Sequence, residues 1–202
     1  RRRSSVKEEI MESLLNLFTA FGLSSAAGLN AYIPLLVTGL VARYTDLLTL
    51  SGPFAALENP WVLVTLGVLL LIEMLVDKIP AVDSVNDVIH TVIRPAAGAL
   101  LFAANAGAID YVDPTLAVVL GLLAAGTVHA TKTAARPVVT ASTAGVGNPI
   151  VSLAEDIIAF FASLLAIFVP LLMGALIIVV FLLIARWWWR RRNRPRSANL
   201  PL

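Results

Sequence analysis

Two stretches of this chain run for more than a bilayer's thickness without a charge. Residues 13–42 and 157–185 contain no Asp, Glu, Lys or Arg, and each exceeds the roughly 20 apolar residues that cross a membrane. A buried helix of a soluble core is usually shorter. The first stretch, Leu14–Ala42, is longer than one straight span needs. Its middle is small and polar: Gly22, then Ser24-Ser25-Ala26-Ala27-Gly28-Leu29-Asn30, then Pro34. This predicts two half-helices around a break.

The apolar pattern continues in shorter pieces. Pro60 and Trp61 suit a helix start at a membrane interface, and Trp61–Val76 reads as a helix with Glu73 near its far end. After Asp77-Lys78-Ile79-Pro80, the positions Val82, Val85, Val88, Ile89 and Val92 recur at helical spacing. They predict a short amphipathic helix lying on a surface or folded into a cavity. Pro95–Ile109 is rich in Ala and Gly, too short for an ordinary span, and suited to close packing. Asp110–Pro114 is a turn. A helix follows from Thr115 to about Val139, ended by the breaker Ser142–Pro149. Ile150–Trp189 is long enough for two helices, about Ile150–Val169 and Pro170–Arg186, with Pro170 either kinking one helix or starting the next. The fold class is therefore all-α: a polytopic membrane protein with broken or half-spanning helices. Residues 11–189 form one membrane domain.

Composition sharpens this. Apolar residues make up 58% and charged residues 14%, against about 25% charged in a soluble domain. The net charge of +2 is a property of the ends. Residues 186–202 carry six Arg and no acid, whereas residues 13–185 carry five bases and ten acids. Trp187-Trp188-Trp189 before Arg190-Arg191-Arg192 combines an aromatic belt with a positive-inside signal. It places the C-terminus in the cytoplasm, beside anionic lipid, rather than on nucleic acid. Residues 190–202 are expected to form a basic disordered tail. Met11 is a plausible start, which makes residues 1–10 a basic extension. The first apolar run is too long for a signal-peptide core. The absence of cysteine excludes disulfides and thiolate metal sites.

A shift of 118 residues lays Ser24–Asn30 on Ser142–Asn148. Both follow an apolar helix and precede an apolar run. Repeated halves, about 11–94 and 95–189, would resemble secondary transporters, whose discontinuous helices meet near the bilayer midplane. Exposed backbone and Ser, Thr or Asn side chains at such a depth must line a cavity or be buried in protein. The alternative is a pair of plain loops outside the membrane. An odd number of crossings per half would invert the repeat.

Charges inside spans are costly and tend to be paired or functional. Three groups stand out: Glu73, Asp77, Lys78, Asp83, Asp87 and His90; Arg94; and His129, Lys132 and Arg136 with Glu155 and Asp156. Glu73 and Asp77 share a helix face, where two like charges raise one pKa or recruit a cation, unless Lys78 or Lys132 neutralises them. His129, Lys132 and Arg136, at spacings of three and four, form one stripe. That stripe suits an anion such as phosphate, with the helix N-terminus after Gly147-Asn148 adding partial positive charge. The alternative is a stripe paired with Asp83, Asp87, Glu155 or Asp156. The residues singled out for a ligand or transport pathway are Ser24, Ser25, Asn30, Glu73, Asp77, Lys78, Asp83, Asp87, His129, Lys132, Arg136, Ser142, Thr143, Asn148, Glu155 and Asp156. No HExxH, GxSxG, GxxxxGK[ST] or CxxC motif occurs, so no catalytic residue, metal ligand or cofactor is assigned.

Together, Gly28-Leu29-Asn30-Ala31-Tyr32-Ile33-Pro34, Asp77-Lys78-Ile79-Pro80 with Asp83, His129-Ala130-Thr131-Lys132 with Arg136, Ser142-Thr143-Ala144-Gly145 and Gly147-Asn148-Pro149 resemble the bacterial membrane family catalogued as domain of unknown function 4126. The likeness runs from about Met11 to Arg186. It implies a multi-pass inner-membrane protein and supplies no substrate.

Four functions fit these residues. The first is a small transporter or flippase for an anionic solute or lipid head group, on the basic stripe. The second is a cation channel or proton-coupled carrier on the acidic cluster. The others are a non-transporting scaffold and an intramembrane enzyme with a Ser nucleophile and His129 as base. A polar interior wall favours the first two, and a dry Ala/Leu interior the scaffold. A second copy of so small a chain would help to enclose a pathway.

Overall fold

The computed structural model describes residues 2–76, 80–106 and 112–192, with side chains from residue 6 and none for 80–88. Every regular element among them is helical. In chain order these are α1 (Arg2–Leu29), α2 (Tyr32–Tyr44), a 3-10 helix (Gly52–Glu58), α3 (Pro60–Val76), α4 (Pro80–Ala106), α5 (Pro114–Thr143), α6 (Asn148–Phe168) and α7 (Pro170–Arg192).

The ends of these helices follow from local chemistry. The break in the first apolar run lies at Asn30-Ala31, and Ser24–Gly28 stay helical. Asn30 Oδ1 accepts from the N–H groups of Tyr32 at 2.9 Å and Ile33 at 3.1 Å. Pro34 has no N–H to satisfy, so most of the orphan donors of the first turn of α2 are dealt with. Asn59 Oδ1 caps α3 through Trp61 N, with Pro60 at the first position. Asp113 Oδ1 caps α5 through Thr115 N at 2.8 Å and Leu116 N at 3.2 Å. Those two bonds hold its carboxyl below the ordinary carboxylate range. At the other end of α5, Ala144 and Gly145 adopt positive φ, and Gly145 N returns to Thr140 O at 3.1 Å. Pro170 begins a new helix after Val169.

One proline does not act as the sequence suggests. Pro95 lies inside α4, so the expected amphipathic and Ala/Gly-rich segments are one helix; Pro137 lies inside α5 as expected, and that helix runs on to Thr143. The 94/95 boundary of the expected halves falls inside α4. A proline removes one i→i−4 bond, and dense neighbouring packing compensates for it in membrane helices. Around Pro95 that packing is close. Gly98 of α4 and Gly121 of α5 meet backbone to backbone: a Cβ on Gly121 would lie against Gly98 O and 2.7 Å from Ala99 Cα. Ser24 Oγ of α1 donates to Gly98 O at 2.8 Å. Small residues thus draw α1, α4 and α5 together, around Leu23, Ala27, Leu101, Phe102 and Ala125, all at most 0% exposed.

The outer surface is apolar. Four helical segments are long and apolar enough to cross a membrane: Val6–Leu29, Pro114–Thr143, Asn148–Phe168 and Pro170–Arg192. The 3-10 helix and α3, bent by 66° at their junction, make a fifth if they are one span. From Leu171 to Ile184 most large side chains of α7 are exposed. Such a surface has no stable place in water and fits a lipid environment. The protein is a polytopic all-α membrane protein.

Candidate functional site: a buried cluster of charges

The break between α1 and α2 begins the site. Asn30 is 1% exposed. Its carbonyl oxygen is occupied by two backbone N–H groups, which fixes the amide orientation and leaves Nδ2 facing the interior. Nδ2 donates to Glu73 Oε2 of α3 at 2.8 Å and to Asp156 Oδ1 of α6 at 2.9 Å. One asparagine therefore caps α2 and bridges two carboxylates from different helices.

Glu73 carries the network onward. Its Oε1 accepts from Arg94 Nη2 at 3.0 Å and lies 3.4 Å from His90 Nε2. His90 and Arg94 are four apart on α4 and so share a face, and the His90 ring meets the edge of Tyr32 at 5.9 Å. Arg94 Nη1 lies 3.2 Å from His129 Nδ1 of α5. An arginine nitrogen can only donate, so Nδ1 accepts, and the neutral ring carries its proton on Nε2. That nitrogen is 3.3 Å from Thr91 Oγ1, which accepts from it.

The basic stripe of α5 turns inward. His129, Lys132 and Arg136 are 4%, 7% and 8% exposed. Lys132 Nζ pairs with Glu155 Oε2 of α6 at 2.6 Å and donates to Leu29 O at 3.3 Å. Leu29 is the last residue of α1, so the break frees that carbonyl, and a cation there also suits the helix dipole. The cluster holds three cations (Arg94, Lys132, Arg136) and three carboxylates (Glu73, Glu155, Asp156), with two histidines. It is formally balanced, so an added anion or cation would have to displace a partner or bring a proton.

Other sequence candidates lie elsewhere. Ser24 is buried but pins α4, as above. Ser25 is half-buried on α1. Ser142 and Thr143 are exposed and bond to Val139 O, and Thr143 Oγ1 also accepts from Gly147 N. Asn148 is buried against Thr140. Of the two matching breaks, only the first is therefore in the interior. Asp77 and Lys78 lie outside the described residues, as do the side chains of Asp83 and Asp87. Conversely, His90 and Arg94 sit at the centre of the cluster but are absent from the pathway residues chosen by sequence. The available signal was a helical i, i+4 pair of bases entering an apolar Ala/Gly-rich segment. Among the described residues, no three His, Asp or Glu side chains are gathered so as to hold a metal ion.

A groove of about 500 Å³ reaches this cluster from outside. Thr91 and Pro95 of α4 and Gly126, His129, Ala130, Thr133 and Ala134 of α5 line it.

Residues 17–191 match the family model described as Domain of unknown function (DUF4126), so the chain belongs to that family. No curated protein and no solved structure matches the chain.

Proposed function

We propose that this member of the family is a small membrane carrier for an anionic solute or lipid head group, working through the buried cluster. The observation that carries this is the direction of the basic stripe. Lys132 and Arg136 could have faced lipid head groups as an interfacial belt. They are buried instead, in a chain whose outer surface is apolar. Burying charges in pairs is rarely a source of net stability, so charges kept inside a membrane bundle are best explained by use.

In this reading the anion takes the place of a carboxylate. Lys132 leaves Glu155, and Lys132 and Arg136 hold the anion in a region of low dielectric, where each charge–charge contact is strong. Release restores the Lys132–Glu155 pair. The balanced cluster thus has two charge-compensated states, one with its own carboxylate and one with the ligand. We place the protein in a bacterial inner membrane with the C-terminus cytoplasmic.

The test uses purified protein in detergent with inorganic phosphate and a short-chain phosphatidic acid as probes. Lys132→Gln and Arg136→Gln should each lose at least about tenfold in affinity for both probes. Because Lys132→Gln leaves Glu155 buried and unpaired, the Lys132→Gln/Glu155→Gln double variant is measured alongside it. Normal elution and helical content with unchanged affinity would sink the proposal.

One observation favours a second reading, a proton-coupled carrier. Asn30 Nδ2 donates to both Glu73 and Asp156, so two acids from different helices share one donor. Flux that depends on pH and loses that dependence in Glu73→Gln would mark it out.

A further inference from the structure

The groove beside His129 has an unusual position. Its α5 lining, Gly126–Ala134, straddles the middle of a helix that runs from Pro114 to Thr143. Its α4 lining, Thr91 and Pro95, is central in α4. The groove therefore opens on the flank of the bundle, between α4 and α5, near the end of the apolar stretch of α5 that Lys132 closes. Exposed apolar side chains flank it on the same helices: Val92 at 72%, Leu123 at 61% and Val138 at 70%. Within that apolar flank lies a polar floor. Thr91 and Thr133 stand at the rim and His129 below, with Arg94 behind it.

Arg94 is short of acceptors. Nη2 is taken by Glu73 and Nη1 by His129, while Nε, on a side chain 1% exposed, has no hydrogen-bond acceptor among the described residues. A buried guanidinium donor without an acceptor costs free energy, and an oxyanion is its natural complement. A solute arriving from water would enter at an end of the bundle. A group that arrives through an apolar flank is one carried there on a hydrocarbon chain.

We infer that the α4–α5 groove is a lateral gate through which the phosphate-bearing head group of an anionic lipid passes Arg94 on its way to Lys132 and Arg136, while its acyl chains stay outside along the apolar stripe of α5. This rests on the carrier reading and names its substrate class. His129 is the positioning residue of the gate. Its Nε2–H turns from Thr91 to a phosphate oxygen, and the ring moves aside to open Arg94 to the ligand.

The gate can be closed without touching a charge. A Cβ on Gly126 would meet only Pro95 Cγ, at 3.9 Å, so Gly126→Leu fills free space, and Ala130→Trp covers the rim. Both are reconstituted into vesicles holding tail-labelled fluorescent phosphatidic acid, and transfer between leaflets is read by quenching the outer leaflet. Inorganic phosphate affinity is measured on the same proteins in detergent. Closing the gate should slow lipid transfer by at least about tenfold and leave phosphate affinity within about twofold. Unchanged lipid transfer with phosphate affinity intact would overturn the gate and spare the carrier reading. Loss of phosphate affinity as well would make the groove an entrance for the free ion and overturn the lipid assignment. A parent protein that neither binds phosphate nor moves the lipid would remove both. Should the larger side chains impair folding, a nitroxide on Ala130→Cys, the sole thiol in a chain without cysteine, gives a second measurement. Greater collision with oxygen than with a water-soluble nickel chelate supports a lipid-facing mouth, and the reverse overturns it.

Discussion

At the scale of single residues, the cluster is a chain of bonds in which few members can change alone. Arg94 is the clearest case. It is 1% exposed and joins Glu73 to His129. Removing one partner of a buried pair leaves the other charged and without compensation, at a cost of about 3–5 kcal/mol. Arg94→Leu should therefore unfold at markedly lower denaturant than the parent, and Glu73→Gln likewise. The double variant Arg94→Leu/Glu73→Gln leaves no bare charge and should recover more than half of the loss. A double variant no better than the worse single one would show that the pair does not act as a unit. The sequence made half of this visible. A charge in an apolar run is conspicuous, so Glu73, His129, Lys132 and Arg136 stood out. Which acid meets which base depends on helices far apart in the chain, and helix spacing relates only neighbours within one helix. Glu73 thus seemed set against Asp77 and neutralised by Lys78 or Lys132; Lys78 lies outside the described residues, and Arg94 is the cation found paired with Glu73.

At the scale of elements, starts and stops were easier to read than continuity. Pro60, Pro114 and Pro170 each begin a helix, and Asn30 ends one, because a cap is a local matter of unpaired N–H groups. Pro95 looks the same in sequence but lies inside a helix, because the packing that tolerates it comes from other elements. The same packing gives otherwise similar glycines opposite values. At Gly121 a Cβ would press on Gly98 O, Ala99 Cα and Phe102 Cβ, two of them backbone atoms. Gly121→Ala must push α4 and α5 apart, an overpacking cost of about 1–3 kcal/mol that outweighs the gain in helix propensity of up to about 1 kcal/mol. At Gly67 in α3 nothing lies within 4 Å of the added atom, so Gly67→Ala keeps the gain. Chemical unfolding in one detergent should lower the midpoint for Gly121→Ala and leave it unchanged or raised for Gly67→Ala. Equal responses would mean that the α4–α5 approach is not held by its small residues.

At the scale of the whole molecule, the apolar surface and the charged interior reverse the arrangement of a soluble protein, and hydropathy alone announced the first half of that. The length of α4 was not announced. Its opening turns carry Asp83, Asp87 and His90, and at 27 residues it is long enough to cross but is not among the segments apolar enough to do so. Orientation rests on the far end of α7. There the Arg191 guanidinium lies 4.1 Å over the Trp187 ring and that of Arg192 5.3 Å over Trp188, so the helix carries an aromatic ring under each of two cations. In the proposed orientation these charges sit beside an anionic leaflet, where each is worth about 1 kcal/mol. Three neutralised arginines then remove about 3 kcal/mol of bias, which is enough to mix orientations. It is far too little to extract four apolar spans. Arg190→Gln/Arg191→Gln/Arg192→Gln should stay in the membrane fraction after alkaline extraction, while a C-terminal reporter changes from uniformly cytoplasmic to mixed. A parent chain whose C-terminal alkaline phosphatase is active in the periplasm would refute the orientation, since a span ending in exposed arginines would then have crossed against both the leaflet charge and the membrane potential.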